Sequence, residues 1–147
     1  MKNSIILLSV VLLTFASCTK DSADRFDANT EPSTQVESHF NNGAGFVPIV
    51  VNNLDGEYIT ITIETYECHI PETGIAWGGR GYKAVGSPIN ILEHAGNECQ
   101  LFELEFQITS DHAEIDLRFP VTDRSDDWKV DISGEVGDKT FEEIIQD

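Results

Sequence analysis

This chain is short of basic residues: nine Lys and Arg stand against 26 Asp and Glu in 147 residues. A surface so short of cations repels phosphate backbones, and no Lys/Arg cluster interrupts the acidity, which argues against nucleic-acid binding. Catalytic signatures are missing too. There is no G-x-S-x-G elbow, no H-E-x-x-H helix and no G-x-x-x-x-G-K phosphate loop, and the four histidines are scattered rather than clustered. With 26 acids in the chain, no carboxylate pair stands out for glycoside hydrolysis. These absences favour a binding protein over an enzyme and imply no cofactor. No internal repeat and no second domain are visible.

A long hydrophobic run is also lacking. Ile5 to Phe15 is apolar but too short to span a bilayer as a helix. It follows the charged Lys2 and closes on Phe15-Ala16-Ser17-Cys18, small residues and then a cysteine. The stretch resembles the lipobox of bacterial lipoproteins. That resemblance implies a signal peptide over 1–17, a diacylglyceryl group on the Cys18 thiol and acylation of the new amino terminus. Each buried methylene contributes about 0.8 kcal/mol, so two or three chains hold a protein durably where one holds it marginally. Thr19 stands where many inner-membrane lipoproteins carry Asp, which favours the outer membrane. Lys20-Asp21 is similar to the short charged signals that send some lipoproteins to the cell exterior, so surface exposure is expected over a periplasm-facing position. Asp21-Ser22-Ala23 resembles an O-glycosylation acceptor. Removal of 1–17 takes away Lys2 alone, leaving eight basic against 26 acidic residues and a formal charge of −18.

Residues 18–45 read as a flexible tether, since only Phe26, Val36 and Phe40 break a polar composition that cannot offset its ordering entropy. Over 46–147 the pattern changes to period two, which places alternate side chains on one face of a strand. Ile59, Ile61 and Ile63 alternate with Thr60, Thr62 and Glu64, and Phe102, Leu104 and Phe106 with Glu103 and Glu105. Ile115, Leu117 and Phe119, then Trp128, Val130 and Ile132, repeat the pattern. Pro120 marks an edge or a strand end. Asp55-Gly56 and Gly137-Asp138 each resemble a tight hairpin turn, and Ser110-Asp111-His112 sits at short-hairpin spacing between two runs. The terminal Thr140 to Glu143 stretch carries a capping-box pattern, but a hairpin strand is preferred there. The expected fold is all-β, a single antiparallel β-sandwich or small β-barrel of seven or eight strands. About 100 residues suffice for one such core.

Beyond Cys18, two cysteines remain. Cys68 and Cys99 are expected to pair in an exported chain, and closing a loop of roughly 30 residues would contribute about 3–4 kcal/mol. If the strands run without a bulge, Cys68 continues the Thr60/Thr62 face and Cys99 the Glu103/Glu105 face. Trp77-Gly78-Gly79-Arg80-Gly81-Tyr82-Lys83 lies inside that loop. Trp77, Arg80 and Tyr82 are the candidate contact residues for a sugar ring or a protein, as such side chains dominate recognition, and a turn with both rings packed inward is the structural alternative. Asp123, Asp126 and Asp127 cluster in one loop as weak calcium candidates without EF-hand spacing. Thr65-Tyr66-Glu67-Cys68 is similar to the Tyr-x-Cys start of the small lipid-anchored lysozyme inhibitors, which combine a β-barrel with a disulfide. Two functions are therefore in view. One is a lipid-anchored outer-membrane or cell-surface binding module for a glycan or protein. The other is an inhibitor or immunity-type lipoprotein that neutralises a basic enzyme or toxin, such as a lysozyme, by charge complementarity.

Overall fold

A computed structural model describes residues 31–95 and 99–147. The signal segment 1–17, Cys18 and the first part of the expected tether lie outside the described residues. The strands, in chain order, are β1 (Ser33–Val36), β2 (His39–Asn41), β3 (Ala44–Asn52), β4 (Tyr58–Tyr66), β5 (Ala76–Arg80), β6 (Tyr82–Ala95), β7 (Cys99–Ile108), β8 (His112–Pro120), β9 (Lys129–Val136) and β10 (Lys139–Ile145). They form two antiparallel sheets. Sheet A runs β1-β3-β8-β5, with β2 also paired to β3, and sheet B runs β10-β9-β4-β7-β6. Among the described residues, no helix is long and apolar enough to cross a membrane.

Period two explains the layers. In sheet B, Ile61 stands opposite Leu104, and Ile63 lies between Phe102 and Ile132. In sheet A, Val47 faces Leu117 and Ile49 faces Ile115. All of these are buried, and the two apolar faces close on each other around Phe102, Phe106 and Phe119. Burying each such side chain contributes about 1.5–3 kcal/mol. Two open sheets with separate edges make a sandwich rather than a barrel.

Three expectations change. First, the tether is shorter than 18–45, because β1 and β2 join the edge of sheet A. Val36 and Phe40 pack against the core, and the Phe40 ring lies 4.8 Å from that of Trp128. Two apolar residues thus suffice to dock a polar segment that also gains backbone pairing. Second, there are ten described strands rather than seven or eight, since β1 and β2 are added and the Trp77 region divides at Gly81 into β5 and β6.

Third, Asp55-Gly56 makes a tight turn but no hairpin. Glu57 N–H donates to Leu54 O at 3.1 Å with Gly56 at φ +91°, yet β3 belongs to sheet A and β4 to sheet B. The β7–β8 connection through Ser110-Asp111 crosses between sheets likewise. These two arches stack side by side, with Asn53 N–H on Asp111 O (2.6 Å) and Gly56 N–H on Ile108 O (3.1 Å). Period two fixes which face is buried, not whether the next strand pairs beside its neighbour or packs opposite it. By contrast Gly137-Asp138 is a true two-residue hairpin, as Val136 pairs with Lys139, and the chain end is the strand β10 rather than a helix. Pro120 is the last residue of β8, an interior strand, so it marks an end and not an edge.

Candidate functional site

Trp77, Arg80 and Tyr82 do not share a surface. Trp77 pairs with Leu117 and points inward, and Tyr82 pairs with Ile108 and does the same. Both rings meet Phe106 edge-on, at 5.7 and 5.2 Å between centroids, and the Tyr82 hydroxyl donates to Gly78 O at 2.7 Å. Together they seal the β5/β6 side of the sandwich. Arg80 points the other way and donates to Glu114 Oε1 at 2.8 Å. The same oxygen lies 2.9 Å from His112 Nε2, and His112 Nδ1 lies 2.7 Å from Asn52 Oδ1. The Arg80 hydrogen bond, followed by that of His112, holds the Glu114 carboxyl below its ordinary range. Arg80 is thus engaged within its own sheet, and the three residues form a seal and a surface network rather than a contact patch.

The structure holds no Cys68–Cys99 disulfide. The reason is a change of phase at Glu67, which adopts a left-handed backbone (φ +53°) directly after β4. Tyr66 keeps to the outer face, whereas Cys68 turns fully into the core, its Sγ 3.5 Å from Lys129 O. Burial pushes its thiol pKa up. Cys99 pairs with Tyr66 on the outer face of β7, so the two sulfurs lie on opposite sides of one sheet. The Tyr-x-Cys resemblance therefore places its tyrosine and cysteine on different faces here, in an open sandwich and without a bridge.

Asp123, Asp126 and Asp127 are exposed and form no cation cage. Among the described residues, no group of three His, Cys, Asp or Glu is placed to hold a metal. Their loop is organised around a cation of its own: the Arg124 guanidinium lies 4.9 Å from the Phe40 ring centroid and 5.1 Å from that of Trp128. Ser125 N–H ties the loop back to Glu67 O at 3.0 Å.

The outer face of sheet B carries a groove. Register aligns Thr60 and Thr62 of β4 with Glu105 and Glu103 of β7 on one side and with Glu135 and Ser133 of β9 on the other. Glu142 of β10 stands beside Ser133. Thr60, Thr62, Ser133 and Thr140, with Glu103, Glu135 and Glu142 and with Gly134 and Phe141 between them, line this groove of about 580 Å³, in which hydroxyls and carboxylates predominate. At one end, Lys129 donates to Asp131 Oδ2 at 2.8 Å and lies 4.1 Å from the Tyr66 ring centroid, so it is already neutralised. Asp131 Oδ1 is buried and has no hydrogen-bond partner among the described residues. The Tyr66 phenol is pushed up to about 12 by its hydrogen bond to Glu64, by burial and by the charges of Glu64 and Asp131. The carboxylates of Glu103, Glu105, Glu135 and Glu142 on this face attract positive charge.

Nothing in the linear sequence singles out this groove, because each hydroxyl and carboxylate reads as the solvent phase of its own strand. The partial signal is the coincidence of Thr60 and Thr62 with Glu103 and Glu105, which becomes a site only once register brings the strands together. No protein-family model, curated protein or solved structure matches the chain.

Proposed function

We propose that this chain is a lipid-anchored binding module of the bacterial outer membrane, exposed at the cell surface, whose outer face of sheet B takes a basic protein. Neutralising a basic enzyme or toxin is the specific form of that reading. The observation that supports it is the groove in which Glu103, Glu135 and Glu142 accompany the hydroxyls of Thr60, Thr62 and Ser133. Short hydroxyls leave room in which lysine or arginine side chains can lie, and the carboxylates supply charge-assisted acceptors. Complementary fields of this kind raise association rates by about 10- to 1,000-fold.

The intact chain in detergent, used to capture partners from a panel of basic proteins that includes lysozymes, tests the reading. Glu103→Lys, Glu135→Lys and Glu142→Lys together should slow association with the captured partner by roughly 10- to 1,000-fold at low salt. The gap to wild type should narrow above about 0.15 M, where screening acts over about 8 Å. Equal rates for variant and wild type at low salt would remove this face from the account. Anchoring is tested separately. Cys18→Ser should move the protein from the membrane fraction to the soluble fraction, and persistence in the membrane would mean that another element holds it.

A further inference from the structure

Sheet A carries a different surface on the opposite side of the sandwich. Phe46 of β3 points outward between His39 of β2 and Arg118 of β8, its direct neighbours in register. The Arg118 guanidinium carbon lies 5.0 Å from the Phe46 ring centroid, and the His39 ring stacks on Phe46 at 6.4 Å with 17° between planes. These three residues, with Asn41, Ala44 and Gly45, line a cup of about 370 Å³, within the range of about 300–1,000 Å³ typical of ligand sites. Arg118 is exposed and makes no ion pair among the described residues. In a chain of formal charge −17, an arginine left without a carboxylate is conspicuous.

We propose that this cup binds a carboxylate-bearing saccharide, a uronic acid being the simplest example. Stacking on Phe46 holds the guanidinium plane in place while leaving its N–H fork available, and that fork matches a carboxylate with two parallel hydrogen bonds. With His39 and Arg118 against its ring, Phe46 offers its edge, beside Ala44, to the C–H groups of a sugar, and Asn41 and His39 supply polar contacts for hydroxyls. The charge pattern selects a small monoanion. Glu37 lies 3.7 Å from His39 Nε2, and Asp116 stands two residues from Arg118 on the same face, so a phosphate dianion or a polyanion meets repulsion that one carboxylate seated on Arg118 avoids. A neutral sugar gains no charge-assisted bond from the guanidinium. The site is independent of the sheet B groove and survives if that reading fails.

The test is an NMR chemical-shift titration of the intact chain in detergent micelles with glucuronate, glucose, acetate and inorganic phosphate. Glucuronate should give saturable shifts centred on His39, Phe46 and Arg118, with glucose, acetate and phosphate each at least roughly tenfold weaker. Arg118→Gln, an exposed substitution, should weaken glucuronate by about tenfold or more, the effect of losing a hydrogen-bonded charge. Phe46→Leu should weaken it severalfold, whereas Arg80→Gln, on the same sheet but outside the cup, should not. Absence of saturable glucuronate shifts, equal affinity for glucose, acetate or phosphate, or an unaffected Arg118→Gln would each overturn the proposal.

Discussion

Gly79→Ala should lower the stability of the domain by about 2–6 kcal/mol, a loss comparable to the whole stability of many small domains. Gly79 sits in β5 at φ +107°, and a Cβ built there comes within 1.9 Å of Glu114 O and 2.8 Å of Glu114 C. Neither obstacle is the movable tip of a side chain; both are backbone of β8, the strand to which β5 is paired. Backbone strain at a position open to glycine costs about 1–3 kcal/mol, and forced overpacking adds about 1–3. The neighbour provides the control. Gly78 has nothing within 4 Å of its would-be Cβ, so Gly78→Ala should change stability by no more than about 0.5 kcal/mol. Urea unfolding of both variants separates the two outcomes, and equal midpoints would show that β5 can leave β8 without loss.

Phe106→Ala should cost about 3–5 kcal/mol. Its ring is fully buried and receives the edges of both Trp77 and Tyr82. Aromatic pairs contribute about 0.5–1.5 kcal/mol beyond their buried area, so truncation removes two such contacts and opens a void beneath the β5/β6 edge. Trp77 then faces water, and its fluorescence should shift to the red in the folded variant. A loss below about 1 kcal/mol, with unshifted Trp77 emission, would mean that the seal does not depend on this ring.

Period two encodes a strand and its buried phase. It identified β4, β7, β8 and β9 and their buried phases, because Ile61, Leu104, Leu117 and Ile132 each occupy alternate positions. Partner choice needs more than phase. The residues around Asp55-Gly56 look the same whether the chain folds back beside itself or arches to the opposite sheet. Cys68 illustrates a second limit, since a single left-handed residue, Glu67, reverses the phase of everything after it, and nothing about a glutamate announces that conformation. Both candidate surfaces are third-order consequences. Thr60 and Glu103, or Phe46 and Arg118, are far apart in the chain and meet only when sheet order and register are known.

The stacked arches have a further consequence, for how the chain reaches its fold. From β3 to β10 it changes sheet at five of seven steps, and only β6–β7 and β9–β10 are neighbours in both sequence and sheet. Apart from those two hairpins and the β2–β3 hairpin that precedes them, each pairing must close a longer loop before it gains anything, which places folding in the millisecond-to-second regime of sandwiches rather than the microsecond regime of helical bundles. Neither sheet is encoded by a continuous stretch, so neither can form and wait for the other. Because the strands of the two sheets are interleaved along the chain, each outer face depends on the pairing of both sheets and the two are acquired together.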